Sequence, residues 1–291
     1  MADTLIENVS DTAFWIAHHR AIETQRQDAL FRDPLAGVLA GERGKSIAET
    51  MPTSFMTGWA VVIRTCIIDD YIRLALTEGV DTVLNLGAGL DTRPYRMDLP
   101  SSLLWIEADY PHMIEFKKER LSQETPRCRL ERVSVDLTNR VERHRLFEQA
   151  NARAKKIFVL SEGVTPYLSP EEVGSLAEDL KAMDRVCYWV VDYFAPEMIK
   201  FRQGRLRQKM QNAPFKFAPE DWFGFFRERG WRVKEIRYLS AEGERLGRKL
   251  EVPLRVKLLF LPRALFASPE QRVRFKKMVG YVLLEPERAV Q

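Results

Sequence analysis

The 291-residue chain has little cysteine and little histidine, three of the first and four of the second. Cys66, Cys128 and Cys187 are odd in number and never in Cys-x-x-Cys spacing. That argues against a disulfide framework or a zinc cluster and fits a reducing compartment. No run approaches the roughly 18 apolar residues of a membrane span. The amino terminus, MADTLIENVSDTAFW, has acids where a secretory leader needs a basic start. A cytoplasmic protein with no membrane partner is expected. Internal repeats and low-complexity linkers are absent as well. A net charge of +4 is too mild to imply nucleic acid by itself. With 45% hydrophobic and 30% charged residues, the composition is that of a globular chain and argues against wholesale disorder.

What is present changes character near Glu78. Residues 1–77 read as a helical cap that is not an independent domain. Ser10-Asp11-Thr12 caps AFWIAHHRAIET, and FRDPLAGVLAGERG is expected to be broken by Pro34 and its three glycines. Residues 59–77 carry Val62, Cys66, Ile67, Tyr71 and Leu74 on one helical face. From residue 78 to 291, runs that each look like a buried parallel strand (81–87, 102–109, 129–136, 155–163, 184–194) alternate with amphipathic helices. WRVKEIRYL and MVGYVLLEP add a sixth and a seventh strand, and 252–265 is an apolar helix candidate. The pattern predicts a doubly wound, mostly parallel, seven-stranded α/β sheet with an antiparallel edge strand. Its ligand crevice should lie at the carboxyl ends of the strands.

The chemistry-bearing residues sit at those ends. Asn85-Leu86-Gly87-Ala88-Gly89-Leu90-Asp91 closes the first strand, and glycines there let a ligand approach the backbone. Tight strand–helix packing explains Gly-x-Gly equally well. A dinucleotide fingerprint needs a third glycine, where this chain has Thr92, and Asp91 places a negative charge where a pyrophosphate would lie. The loop suits a cofactor without phosphate, such as S-adenosylmethionine. Asp109, ending the second strand, can accept hydrogen bonds from two ribose hydroxyls, or it can be a solvated cap ahead of Pro111. Asp136 can take an adenine amino group while Leu137 packs on the ring. Glu162 follows an apolar run, so a cationic partner is expected for it. Four successive strand ends supplying Gly, Asp, Asp and Glu are a stronger signal than any one of them.

With these residues in view, the chain resembles the leucine carboxyl methyltransferase family, in the branch of tetracenomycin-type polyketide O-methyltransferases. The likeness rests on Phe31-Arg32-Asp33-Pro34-Leu35, Arg64-Thr65 with Asp69-Asp70, residues 85–93 through Asp91-Thr92-Arg93, Glu107-Ala108-Asp109-Tyr110-Pro111, Val135-Asp136-Leu137 and residues 161–168. The resemblance implies a class I methyltransferase sheet that binds S-adenosylmethionine. Arg64 would pair with the cofactor carboxylate, and Gly87, Ala88 and Gly89 would line its methionine side. Asp109 would hold the ribose, Asp136 and Leu137 the adenine, and Glu162 the amino group or its surroundings. From its helix alone, Arg64 reads as a snorkelling side chain. Leucine-specific members use an amino-terminal lysine; here no lysine precedes Lys45, and Arg20 is the substitute.

The expected reaction is in-line methyl transfer to a carboxylate of a small-molecule acceptor, such as a polyketide-like aromatic acid. A carboxylate is already ionised and needs no base. A hydroxyl acceptor needs one, and His18 or His19 on the cap helix is the candidate. Adjacent helical residues diverge by about 100°, so at most one reaches the crevice. Either also reads as a packing residue, and His112 and His144 read as solvated. Tyr167, Tyr193 and Phe194 could line an aromatic pocket or the core, and Arg20 could clamp an acceptor carboxylate. Methylation of a protein terminus and cofactor binding without catalysis are the alternatives. No metal is expected, nucleic acid is disfavoured, and the sequence leaves the oligomeric state open. Residues 200–250 carry an excess of eight positive charges among interleaved aromatics; buried aromatics under a solvated arginine face explain this best.

Overall fold

The computed structural model describes residues 5–51, 54–205, 208–251 and 268–288, so the expected helix over 252–265 lies outside the described residues. Three helices come first: α1 (Asp11–Gln25), α2 (Pro34–Thr50) and α3 (Ser54–Thr77). Strands and helices then alternate: β1 (Thr82–Leu86), α4 (Arg93–Arg96), β2 (Leu104–Asp109), α5 (Pro111–Arg120), β3 (Arg129–Ser134), α6 (Arg140–Arg153), β4 (Ile157–Ser161), α7 (Pro170–Lys181) and β5 (Val186–Phe194). Helices α8 (Pro196–Arg205) and α9 (Trp222–Arg227), strand β6 (Trp231–Tyr238), helices α10 (Leu239–Arg245) and α11 (Pro269–Lys276), and strand β7 (Val279–Pro286) complete the described fold.

The sheet runs β3-β2-β1-β4-β5-β7-β6. Strands β1 to β5 pair in parallel, and β7 is antiparallel to both its neighbours. The antiparallel strand is therefore not the edge, as expected, but lies one strand in, between β5 and β6. The reversal in order between β1 and β4 opens the crevice at their carboxyl ends. Two layers of apolar side chains follow from strand alternation. Leu84 and Leu86 of β1 and Ile157 and Val159 of β4 face α6 and α7. Val83, Phe158 and Leu160 face α3 through Ile63, Ile67, Ile68, Tyr71 and Ile72. Helix α3 is buried over most of its circumference rather than on one face. Helices α1 and α2 build a third cluster around Phe14, Trp15, Leu39 and Ile47.

Three local expectations are corrected. Pro34 does not break its segment: it stands in the first helical turn, where a missing N–H costs nothing, and Asp33 accepts from the Ala36 amide at 3.1 Å. Of the three glycines only Gly41 leaves helical geometry, with φ +52° and a kink. Strand β3 is not buried; as the edge strand it is half exposed throughout. The Ser10 side chain makes no capping hydrogen bond at α1, contrary to expectation; Asp11 accepts instead from the Glu7 and Asn8 amides at 2.7 and 3.2 Å. Ser169 and Glu172 close a capping box at α7, and the three cysteines are free. Among the described residues no helix is long and apolar enough to cross a membrane. Trp222, Phe226 and Trp231 of the basic region are buried in the β5 layer, with Phe223 and Phe225 packed against them.

Beneath the sheet, Lys117 and Glu107 form a buried pair at 2.7 Å, with Arg132 on the second carboxylate oxygen at 2.9 Å. A buried charge deprived of its partner is strongly destabilising. Lys117→Met should lower the unfolding free energy by about 3 kcal/mol in urea titrations; a loss below about 1 kcal/mol would mean Arg132 alone satisfies Glu107.

Candidate functional site

A cavity of about 1500 Å³ opens over the carboxyl ends of β1, β2, β4 and β5 and under α1 and α3. It exceeds the roughly 300–1,000 Å³ of common ligand sites and so has room for two reactants. Of the expected cofactor residues, Arg64, Gly87, Ala88, Gly89, Asp109, Leu137 and Glu162 line it. Asp136 does not. Its Oδ1 accepts from the Thr138 amide at 2.9 Å and hydroxyl at 2.8 Å, a local turn that leaves Val135, Leu137 and Thr138 to face the cavity.

Gly87 and Gly89 have φ of +62° and +48°, the left-handed region that glycine enters without penalty. What fills the place of a side chain at Gly87 is protein: a Cβ would stand 2.5 Å from Val164 Cγ2. The glycine therefore locks the β1 loop against the β4 loop, and the ligand-contact reason given above is not the first one. At Gly89 a Cβ would meet Ala13 of α1 at 3.2 Å. The Gly89 amide donates to Asp109 Oδ2 at 2.6 Å, and the Tyr110 amide donates to Oδ1 at 2.7 Å. Burial raises the Asp109 pKa despite these two donors.

The charged residues of the site form one connected chain. Arg64 Nε meets Glu162 at 2.6 Å; Arg93 meets Glu162 at 2.8 Å, Asp91 at 2.9 Å and Asp69 at 2.7 Å. Arg96 grips both oxygens of Asp69 at 2.6 and 2.8 Å and lies 3.9 Å from Asp33. Asp33 in turn holds Arg20 at 2.8 Å, whose other nitrogen donates to the Leu90 carbonyl at 2.6 Å. Burial pushes Glu162 up, but Arg64 and Arg93 more than offset that and hold it below the ordinary range; Asp91 and Asp69 are held low in the same way. The expected cationic partner of Glu162 is thus Arg64 with Arg93. Arg20 lines the cavity but is committed to Asp33 and the β1 loop, which makes it a positioning residue rather than a free clamp.

Neither cap histidine lines the cavity. His19 is buried with Nε2 at 3.3 Å from Ser54 Oγ, and burial pulls its pKa down to about 4. His18 is half-buried beside it. His112 does not line the cavity but stands at its rim, 3.0 Å from Ser10 Oγ and stacked on Tyr110, both of which do; His144 contacts Asp179, away from the crevice. Alternation along β5 sends Asp192 and Phe194 into the cavity and Tyr193 into the opposite layer, against Trp222 and Phe223. Tyr167 lines the cavity edge-on to Phe215 at 5.2 Å.

Sequence reasoning missed Asp192. It is 3% exposed, accepts from the Gly163 amide at 2.8 Å and hydrogen-bonds the Tyr281 hydroxyl, which also bonds Arg64. The signal that marked Glu162, an acid ending an apolar strand, was present in VCYWVVDYF too.

The family model for leucine carboxyl methyltransferase matches residues 13–181. The chain belongs to the leucine carboxyl methyltransferase family. Among its relatives is a protein of Frankia alni named as an S-adenosyl-L-methionine-dependent methyltransferase, 34% identical over 182 residues, covering 59% of this chain and 64% of the relative. A Streptomyces avermitilis protein of the same description is 38% identical over 132 residues, covering 43% and 47%. The chain thus spans about half to two thirds of the length of these relatives. A solved structure of a DUF574 family protein from Streptomyces avermitilis superposes with a TM-score of 0.54 at 13% identity, covering 94% of this chain and 97% of that one. A solved structure from Thermobifida fusca gives 0.54 at 14% identity, covering 94% and 95%. Sheet order and superposition together show the class I methyltransferase fold.

The ion-pair chain assigns structural work to the family's own motif residues. Arg93→Met would leave Asp91 without its ion-pair partner and take one of two arginines each from Asp69 and Glu162, and the expected loss is about 3–5 kcal/mol of stability. Equilibrium denaturation reads this out; a change under about 1 kcal/mol would show that the remaining arginines carry the site.

Proposed function

We propose that the protein transfers the methyl group of S-adenosylmethionine to an oxygen of an apolar small-molecule acceptor. The observation that carries the donor is Asp109: a buried carboxylate facing the cavity, with one backbone N–H on each oxygen and further lone pairs for two vicinal hydroxyls. The donor set fits this molecule. Val135, Leu137 and Thr138 offer an adenine an apolar wall with one hydroxyl, and the Gly87–Gly89 backbone offers a bed for the methionine chain. At the strand ends Asp91, Asp109, Glu162 and Asp192 stand among Arg20, Arg64 and Arg93, and Glu172, Glu244, Lys216, Lys249 and Lys276 complete a charge-balanced lining. Asp91 in the glycine loop opposes a pyrophosphate. When bound, the donor supplies an electrophilic methyl group; the chain's own residues orient it and exclude water from it.

Methyl transfer to a carboxylate is supported by the family's description, and an aromatic acceptor by the resemblance to polyketide O-methyltransferases. The histidine base expected for a hydroxyl acceptor finds no support, since the described histidines do not line the cavity. A buried carboxylate, Asp192 at the end of β5, lines the cavity instead.

Asp109→Ala should weaken binding of S-adenosylmethionine by about 1–3 kcal/mol, the worth of hydrogen bonds to a charged group. Titration calorimetry on the folded variant checks this. Wild-type affinity would remove Asp109 from the donor site, and tight binding of a nicotinamide dinucleotide by the wild type would overturn the donor altogether.

A further inference from the structure

Strand order fixes where the two halves of the cavity lie. From β2 through β1 and β4 to β5 there are three interstrand spacings of about 4.8 Å, so the ends of Asp109 and Asp192 are separated by roughly 14 Å of sheet. A donor resting its ribose on Asp109 and its methionine chain on the β1 loop occupies the β2–β1–β4 side. Asp192 belongs to the remaining side, where the lining turns aromatic and soft. Phe194 shares its face of β5, Phe215 lies 5.4 Å from Phe194 and 5.2 Å from Tyr167, and Met198 stands one turn into α8.

Asp192 is also an anomaly of burial. Among the described residues no cation lies within ion-pair distance of it. The Gly163 amide and the Tyr281 hydroxyl are its hydrogen-bond donors, in register across β5 and β7. Leaving a carboxylate unpaired in a dry wall is expensive, whereas Glu162, one strand away, has two arginines. Arg64 reaches Asp192 only through the Tyr281 hydroxyl they share and makes no direct ion pair with it, which leaves an oxygen of Asp192 to take a hydrogen bond from whatever enters. A second carboxylate entering beside Asp192 and Glu162 would meet repulsion; a hydroxyl would meet an acceptor.

We infer that Asp192 is the general base for an aromatic hydroxyl acceptor, an assignment that rests on the donor reading above. As the acceptor oxygen bonds the methyl carbon, its O–H proton passes to Asp192. The carbon–sulfur bond breaks with its electron pair returning to sulfur. The products are an uncharged aryl methyl ether, the neutral thioether and a protonated Asp192, which then releases its proton to water. The groups facing Asp192 are Arg64 from α3, Glu162 and the Gly163 amide from β4 and its loop, and Tyr281 from β7. Burial outweighs Arg64 and the two donors, with Glu162 acting in the same sense as burial, and pushes the carboxyl up to about 6. Because the base must be ionised, turnover should rise with pH through about 6 and level off above it.

The test uses the full chain and a matched probe pair, 1-naphthol and 1-naphthoate, which share a ring system and differ in the acceptor group. With the protein saturated in S-adenosylhomocysteine at pH 7.5 (about a unit and a half above the Asp192 transition), naphthol should bind at least ~10-fold tighter than naphthoate. Asp192→Asn should abolish that preference. With labelled S-adenosylmethionine the product should be the base-stable ether. Asp192→Asn should cut its formation by about 10²–10⁴-fold while donor affinity stays within about twofold, and Asp192→Glu should restore part of the rate and the rising pH limb. Tighter naphthoate binding, a base-labile ester, binding of neither probe, or a donor affinity that falls with Asp192→Asn would each overturn the assignment. If the wild type binds no S-adenosylhomocysteine, it is the donor reading that fails.

Discussion

The buried chain of alternating charges from Arg20 to Arg64 is the constraint on which the site depends. Each member alone would cost several kcal/mol to remove from water. Together they exchange solvent for fixed partners at 2.6–2.9 Å, with one longer approach at 3.9 Å between Arg96 and Asp33. The chain ties elements that are far apart in sequence. Arg20 comes from α1, Asp33 from the start of α2, Asp69 and Arg64 from α3, Asp91, Arg93 and Arg96 from the segment after β1, and Glu162 from the end of β4. Through it the crevice walls acquire their relative positions before any ligand arrives. Preorganisation of that kind is what an in-line displacement needs, since its barrier falls chiefly by alignment.

Much of the sheet was legible because its cause is local. A strand buried on both faces must be apolar almost without interruption, and the five parallel strands announce themselves that way. Glu162 could be matched with an unnamed cation on cost alone. Other features depend on three-dimensional neighbours that no spacing reveals. Nothing in FRDPLAG says that Asp33 caps a helix and also anchors Arg20, which turns a supposed break into a start. Gly87 reads as room for a ligand until Val164 is seen in that room. Asp136 sits at the expected strand end, yet Thr138 two residues on diverts its carboxylate into a turn, a competition between side chain and ligand that the dipeptide cannot display. The place of β7 in the sheet depends on long-range pairing, so a strand expected at the edge is found inside it.

The histidines teach the same lesson from the other side. Adjacent His18 and His19 on a cap helix invite a catalytic role, but burial against α3 makes His19 a neutral packing group, and the carboxylates Asp109, Glu162 and Asp192 enter the crevice from strand ends. Side chains at strand termini are fixed by the sheet's own hydrogen bonds. Carboxylates there are held more firmly than groups on a surface helix, which favours them for chemistry that tolerates little misalignment.

Helix α3 has two duties: its apolar residues cement it to one face of the sheet, and Arg64 and Asp69 project from it into the charged chain. It therefore cannot swing away from the crevice without unpacking Ile63, Ile67 and Tyr71 from the core. Helix α1 is fastened to the same crevice at three places: Arg20 to the Leu90 carbonyl, His19 to Ser54 of α3, and Glu23 to Arg248 beyond α10. Two of the cavity's walls are thereby continuous with the folded core.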